Sequence, residues 1–199
     1  MYSLPQSTHI KKQIPKKKVF EKFEMKQTQR DSFDADVARI DIVAVVSTKT
    51  LPALGEGVDV KEFYVLNVQL KRKDYNSKNI ELLTKLIPHK LVFALLFEDE
   101  VQFAVYHTEL VKSDWQDAED AILQVQGLNV DAVWENIVKN IGQITIEEGS
   151  TLTEQIAVNK QKDKLLAQIA ILEKKMLSEK QPRRKREYFE QIKKLKSKI

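Results

Sequence analysis

LVFALLFEDEVQFAVYHTEL, residues 91–110, is the stretch that decides the fold. An uninterrupted apolar run, residues 91–97, is followed by three acidic residues and then by a second run, Val101 to Leu110, rich in β-branched and aromatic residues. Two such runs around a short turn are typical of a β-hairpin. The sequence therefore predicts two neighbouring antiparallel strands at this point of the chain.

Two further strands are predicted on the N-terminal side of this hairpin. The segments RIDIVAVVST, residues 39–48, and EFYVLNVQLKR, residues 62–72, are rich in β-branched residues, and a turn-rich loop separates them. Both are nearly continuously apolar, which suits strands that are buried on both faces. On the C-terminal side, residues 121–126 are predicted to form a fifth strand.

Helices are predicted around these strands. Apolar residues at helical spacing indicate a helix within 18–36, and a second helix over 76–87 ends at Pro88. Asn129 is a good N-cap for a third helix that runs to Ile141. The elements together predict an α+β fold, with a mixed sheet of about five strands and flanking helices.

The apolar pattern becomes narrow and helical in the last quarter of the chain. Spacings of four, three and four residues recur in two rows, which are Leu165, Ile169, Leu172, Met176 and Tyr188, Ile192, Leu195, Ile199. Pro182 lies between the rows, and proline suits the first turn of a helix but not its interior. A C-terminal helical hairpin or coiled coil is predicted, with one long kinked helix as the alternative.

Three regions are expected from these patterns. Residues 1–17 form an extended N-terminal arm, because each of two prolines disfavours helix at the residue before it. Residues 18–148 form the α+β domain, and residues 149–199 form a basic helical tail.

Charge is distributed unevenly along the chain. Residues 151–199 contain 14 Lys and Arg against 6 Asp and Glu, and residues 1–30 contain 8 against 2. The middle, residues 31–150, contains 11 basic and 21 acidic residues. An acidic body with two basic ends indicates contact with polyanions or with the acidic surface of a neighbouring copy.

Several functional classes have no support in the sequence. There is no cysteine, and hence neither a disulfide framework nor a thiolate zinc site. The longest apolar run, residues 91–97, is far shorter than the roughly 20 residues of a membrane span. No phosphate-binding glycine motif is present, and the histidines lack metal-ligand spacing. We expect a cytoplasmic protein without membrane contact and without a cofactor.

Four groups of residues, in this order and spacing, resemble a known family. They are Leu4-Pro5 with Thr8, Ile14-Pro15-Lys16, Val37 and Ile40; Leu86-Ile87-Pro88-His89 with Val92-Phe93; Gly127-Leu128-Asn129-Val130 with Trp134; and Leu172 to Met176 with Glu179-Lys180-Gln181 and Arg184-Lys185. The chain resembles the bacterial and archaeal domain-of-unknown-function family number 4391. Pro182 stands where the family pattern leads us to expect a residue other than proline. This departure bears on the geometry of the last helix.

The resemblance implies a genomic neighbourhood rather than a chemistry. Proteins similar to this one tend to be encoded beside helicases and DNA methyltransferases, which implies a part in phage defence or restriction–modification. The family offers no catalytic residues to carry over.

Asp41, Gln69 and Lys71 form the sharpest enzymatic hypothesis. Restriction-like nucleases place an Asp on one strand and an acidic residue two positions before a Lys on the next, so that carboxylates hold Mg²⁺ and the Lys positions water. Here the neutral Gln69 stands where an anionic ligand is needed. A divergent, Mg²⁺-dependent nuclease of the restriction-endonuclease-like class and an inactive nuclease-like fold both remain as alternatives.

The tail supplies the strongest binding hypothesis. Its cations can neutralise phosphates or dock an acidic partner, and they are Lys180, Arg183, Arg184, Lys185, Arg186, Lys193 and Lys194. The alternative is a solvated flank of the apolar seam. We expect an accessory, non-catalytic subunit of a DNA-directed defence or restriction–modification-like system, with a helicase, a methyltransferase, DNA or RNA as partner. A homo-oligomer assembled through the tail is the other alternative.

Overall fold

The computed structural model describes residues 1–198, and these form seven strands and six helices. The strands are β1 (His9–Gln13), β2 (Val37–Ser47), β3 (Glu62–Leu70), β4 (Lys90–Phe97), β5 (Glu100–Tyr106), β6 (Leu110–Lys112) and β7 (Gln116–Asp117). The helices are α1 (Lys16–Lys22), α2 (Gln27–Asp36), α3 (Ser77–Leu83), α4 (Val130–Gly142), α5 (Leu152–Ser178) and α6 (Pro182–Lys196).

All seven strands belong to one mixed sheet. Its order is β1-β2-β3-β4-β5-β6, and β7 pairs with β5 on the same side as β6. Strands β3 and β4 are parallel and joined through α3, whereas the other neighbouring pairs are antiparallel. Parallel neighbours need such a crossover connection. The hairpin predicted from residues 91–110 is the β4–β5 pair, and the predicted α+β class with a mixed sheet is confirmed.

One face of the sheet is covered by the first three helices. Val19 of α1, Phe33 of α2 and Ile80 of α3 are fully buried in one core with Leu66 of β3 and Phe93 of β4. Burial of each large apolar side chain contributes roughly 1.5–3 kcal/mol. This layer fixes the end of α3, and with it the entry into β4.

The opposite face is covered by α4 and by the N-terminal segment. The ring of Trp134 lies 5.7 Å from that of Phe63, and the ring of Tyr2 meets that of Phe103 edge-on at 5.3 Å. The backbone N–H of Leu123 donates to the carbonyl of Tyr2 at 3.0 Å. The sheet is therefore buried on both sides, as the nearly continuous apolar strands predict.

Two predicted elements differ from the structure. The helix predicted within 18–36 is two helices, because Glu24 has φ 46 and breaks the chain between α1 and α2. The fifth strand predicted over 121–126 is wrong, since this segment forms no strand. Ala121 and Leu123 are buried while their neighbours are more exposed, so the segment has a strand-like alternation without a strand partner.

The chain divides into two compact units, residues 1–144 and 145–199. In the first unit, β1 extends the sheet by pairing with β2, in register His9↔Ala44. Residues 1–144 contain 19 Lys and Arg and 21 Asp and Glu. The first unit is thus close to neutral, because its N-terminal lysines belong to the same compact body as the acidic middle.

The second unit contains the helical pair α5 and α6. Thr151 and Glu154 form a capping box at the start of α5, and residues 179–181 connect the helices. Pro182 is the first residue of α6, where its missing N–H costs nothing. Leu165, Ile169 and Ile192, all in the predicted apolar rows, are buried. The tail is two helices rather than one kinked helix; Ile199 lies outside the described residues.

Candidate functional site

The first half of α6 and the residue pair before it carry a dense group of cations. This group, called here the basic cluster, consists of Lys180, Arg183, Arg184, Lys185 and Arg186, all of them exposed. Arg183 lies 3.6 Å from Glu187, and Arg184 lies 3.8 Å from Glu179. Within residues 1–198 the other three cations form no ion pair. Five positive charges thus face two carboxylates, and the excess positive charge of the cluster can attract another anion.

The helix end adds to this positive potential. The first turn of α6 contains no acidic residue, and Gln181 makes no side-chain cap to it. Cations at a helix N-terminus oppose the helix dipole, so Arg183 and Arg184 lie where they do not stabilise the helix. Glu179 partly compensates, because backbone N–H groups of Gln181 and Lys180 hold the pKa of its carboxyl below the usual value.

Lys193 and Lys194 stand apart from the basic cluster. Both are exposed in the last turn of α6, where cations stabilise the helix dipole. At 1.5 Å per residue, Lys193 lies roughly 10 Å along the helix from Arg186. The predicted binding residues therefore form two groups, of which only the first is placed against the helix dipole.

A groove runs between the two tail helices. Its volume is about 490 Å³, and its lining includes Ile171, Leu172 and Leu195 together with Lys194 and Lys198. The exposed fraction of Ile171 is 56%. An apolar floor with a cationic rim is therefore open on the second unit.

The predicted nuclease residues lie on β2 and beside the end of β3. Asp41 pairs in register with Asn67, and Gln69 pairs with Arg39. The carboxylate of Asp41 accepts an ion-pair contact of 2.7 Å from Arg39, while the Gln69 amide lies 3.4 Å from the carbonyl of Leu96. Asp41 and Gln69 share one face of the sheet, and a guanidinium already occupies the carboxylate.

Lys71 does not join these two residues. It follows the last residue of β3, and its backbone N–H donates to the carbonyl of Asp36 at 2.8 Å. It lies four positions after Asn67, the register partner of Asp41, which corresponds to roughly 14 Å along a strand. In the described part of the chain, residues 1–198, no group of three His, Asp or Glu residues is placed to hold a metal ion.

A second concave region, which the sequence patterns did not reveal, lies where β4 begins and β5 ends. One lobe, the cationic lobe, has a volume of about 300 Å³ and is lined by Thr84, Lys85, His89, Lys90, Leu91, Tyr106 and His107. The adjoining mixed lobe, of about 560 Å³, is lined by Asp59, Val60, Lys61, Glu62, Thr84, Lys85, Ile87, Pro88, His89 and Lys90. The lobes share four lining residues and form one cleft.

The sheet register explains why these residues meet. Strand β4 pairs with β5 in register Val92↔Val105, so that Lys90 and His107 lie opposite each other at the same edge. Burial and the charge of Lys90 lower the pKa of His107, and Glu135 of α4 opposes them. His89 and His107 belong to different elements in the sequence, yet they line one lobe. The only sequence signal was that both lie at strand ends.

Comparison with known proteins gives a family for the chain. The model of the family described as Domain of unknown function (DUF4391) matches residues 3–199. The chain belongs to this family. Neither a curated protein nor a solved structure matches the chain. Within residues 1–198 of this DUF4391 member, no helix is both long and apolar enough to cross a membrane.

Proposed function

We propose that this DUF4391 protein is an accessory, non-catalytic subunit of a DNA-directed defence or restriction–modification-like system. Its helical tail makes the contacts, either with a partner protein such as a helicase or a methyltransferase or with nucleic acid. The observation that carries the proposal is the basic cluster, in which five exposed cations have two carboxylate neighbours.

The position of these cations supports a binding role over a purely structural one. A helix selected only for stability places acidic residues in its first turn, because these complement the dipole. Here Arg183 and Arg184 occupy the first turn of α6. An external phosphate or carboxylate beside this helix end removes the electrostatic conflict, and its binding stabilises the helix.

The groove between α5 and α6 supports a protein contact in addition. Leu177 is 80% exposed and Phe189 is 54% exposed, so apolar surface remains open on both helices outside the seam. We infer that these exposed side chains are available to a partner protein. With Lys194 and Lys198 on the rim, the groove favours a partner segment that is apolar on one face and acidic at its edges.

A catalytic role has weaker support. Asp41 is ion-paired with Arg39. Lys71 lies four positions along the chain from Asn67, the residue that pairs with Asp41, which is roughly 14 Å along a strand. A Mg²⁺ ion bound at Asp41 would have to displace the guanidinium and find further ligands besides the neutral Gln69. The nuclease alternative therefore has less support from the contacts of Asp41 than the binding role has from the basic cluster.

A binding experiment with matched variants tests the proposal. In the first variant, Arg183, Arg184, Lys185 and Arg186 are replaced by Gln, which removes four charges and keeps high helix propensity. In the control, four exposed cations of α5 are replaced by Gln, and these are Lys162, Lys164, Lys174 and Lys175.

Both variants are compared with the parent for duplex DNA by gel shift and for co-purifying proteins in the native host. Loss of DNA binding, or of one defined partner, in the first variant alone supports the proposal. Equal binding by both variants, or a parent that binds neither DNA nor a partner, overturns it.

A further inference from the structure

The cationic lobe brings two lysines together in one concave site. Its lining includes Lys85, Lys90 and two histidines and contains no carboxylate. Within residues 1–198 neither lysine forms an ion pair, and the ammonium of Lys90 lies 5.7 Å from the centre of the Trp134 ring. Converging cations in a concave site raise the local concentration of anions.

The surrounding backbone does not cancel this potential. The lobe lies beside the C-terminal end of α3, where free carbonyl groups would repel an anion. These carbonyls are occupied, since the N–H groups of Thr84, Lys85 and Leu86 donate to the carbonyls of residues 80–83 at 3.0–3.3 Å. The positive side chains therefore dominate the site.

The mixed lobe limits what can be attached to the anion. It presents apolar surface from Val60, Ile87 and Pro88, and carboxylates from Asp59 and Glu62. Glu62 accepts a hydrogen bond of 2.7 Å from the Tyr64 hydroxyl and lies 3.5 Å from His89. Lys61 also lines this lobe, so that carboxylates and cations are mixed there, and an uncharged body with hydrogen-bonding groups is accommodated.

We propose that the cleft binds a phosphate monoester, with the phosphate in the cationic lobe and an uncharged body such as a nucleoside in the mixed lobe. The volumes of about 300 and 560 Å³ lie within the range of small-molecule sites. Lys85 and Lys90 are the principal phosphate ligands, and His89, His107 and the Tyr106 hydroxyl complete the donor set. A free nucleotide and the 5′-phosphate of a DNA strand share this chemistry.

The first test uses AMP and inorganic phosphate as probes on the full chain. Binding is followed by calorimetry and by the NMR signals of the histidine rings. Replacing Lys85 or Lys90 by Gln should weaken AMP binding about tenfold or more, because each substitution removes a charged hydrogen-bond donor. Lys49→Gln serves as the matched control, since Lys49 is exposed and outside the cleft.

The second test identifies the source of the phosphate. A short oligonucleotide with a 5′-phosphate is compared with its 5′-hydroxyl counterpart, in the variant whose basic cluster is neutralised, so that the tail does not contribute. Binding that needs the 5′-phosphate and Lys90 indicates a strand end. Binding of AMP without any preference for the phosphorylated oligonucleotide indicates a free nucleotide.

Two results overturn the proposal. One is that none of the phosphate-bearing probes binds saturably at millimolar concentration. The other is that Lys85→Gln and Lys90→Gln bind the probes as tightly as Lys49→Gln does. Lys85 is exposed, so its substitution leaves the fold intact and the comparison interpretable even where Lys90→Gln disturbs Trp134. Neither result depends on the proposed role of the tail.

Discussion

The side chain of Arg72 donates from Nε to Oδ1 of Asp36 across 2.6 Å. Asp36 is fully buried, and its Oδ2 accepts hydrogen bonds from the backbone N–H of Asn76 at 2.9 Å and from the amide of Asn79 at 2.7 Å. One carboxylate thus joins the end of α2, the loop after β3 and the start of α3. This network holds the helical layer to the sheet.

Removing this carboxylate should destabilise the first unit. Asp36→Ala leaves three donors without their acceptor, and breaking a buried pair costs about 3–5 kcal/mol. Because Arg72 is half exposed and can turn to solvent, we expect the lower end, about 3 kcal/mol, by urea unfolding. The control Asp41→Ala, whose partner Arg39 is exposed, should cost about 1 kcal/mol or less. Equal losses would contradict this account.

Deleting residues 145–199 should leave a folded first unit that has lost its partner binding or self-association. The expectation follows from the division into two compact units and from the surface of the tail helices. Circular dichroism with thermal unfolding reports the fold, and light scattering with partner capture reports the association. A truncated chain with the same oligomeric mass and the same captured partner as the parent would refute it.

Replacing four of the five cations of the basic cluster, residues 183–186, by Gln should flatten the salt dependence of DNA binding. Each phosphate contact contributes a log–log slope of roughly 0.9 on duplex DNA, so four lost contacts change the slope by up to about 3.6. The affinity loss should be similar for unrelated sequences, because phosphate contacts carry no sequence information. Titrations between low and physiological salt measure the slope. An unchanged slope would show that these cations do not touch the phosphates.

Mg²⁺ or Mn²⁺ should not elicit cleavage of DNA or RNA by the purified protein. The reason is the geometry of Asp41, which is paired with Arg39 and distant from Lys71 along the strand. Incubation of labelled substrates with each metal, in the parent and in Asp41→Ala, measures this. Cleavage that is present in the parent and absent in Asp41→Ala would establish the nuclease alternative instead.

The phenol of Tyr2 should ionise at a higher pH than an ordinary tyrosine. Its contact should therefore hold the N-terminal segment in place until the solution is strongly alkaline. Burial raises the pKa of Tyr2 to about 12, against a hydrogen bond to Asn67 that lowers it. Because the unfolded chain ionises this phenol near pH 10, the stability it contributes is present below pH 10 and is lost as the pH rises towards about 12.

Ultraviolet absorbance of the phenolates measures this titration. The pKa of Tyr75 is also raised to about 12, and the hydrogen bond to Glu62 raises the pKa of Tyr64, so Tyr2→Phe should reduce the late phase without abolishing it. A late phase of unchanged size in Tyr2→Phe would place Tyr2 among the normally titrating residues.

The parts of the fold that the sequence predicts are those set by local periodicity. The β4–β5 hairpin and α4 follow from alternation, a tight turn and the cap at Asn129. Strands β1, β6 and β7 are not predicted because all three are short and β1 and β7 are polar, and their pairing depends on the neighbour that the fold supplies.

The sites depend even more on tertiary register. Asp36 and Arg72 are 36 positions apart, and His89 precedes β4 whereas His107 follows β5, so no local pattern marks either pair. The basic cluster, in contrast, is visible as a run of charge, although its conflict with the helix dipole requires knowing that α6 begins at Pro182.

The N-terminal edge of the sheet bears on solubility during folding. A sheet edge exposes unpaired backbone groups that can template aggregation, and natural proteins place lysines there to prevent it. Strand β1 is exposed along its whole length and carries Lys11 and Lys12 at its centre. It pairs with β2, whose long apolar run would otherwise form the exposed edge of the sheet. We therefore expect the N-terminal segment to disfavour edge-to-edge association between partly folded chains.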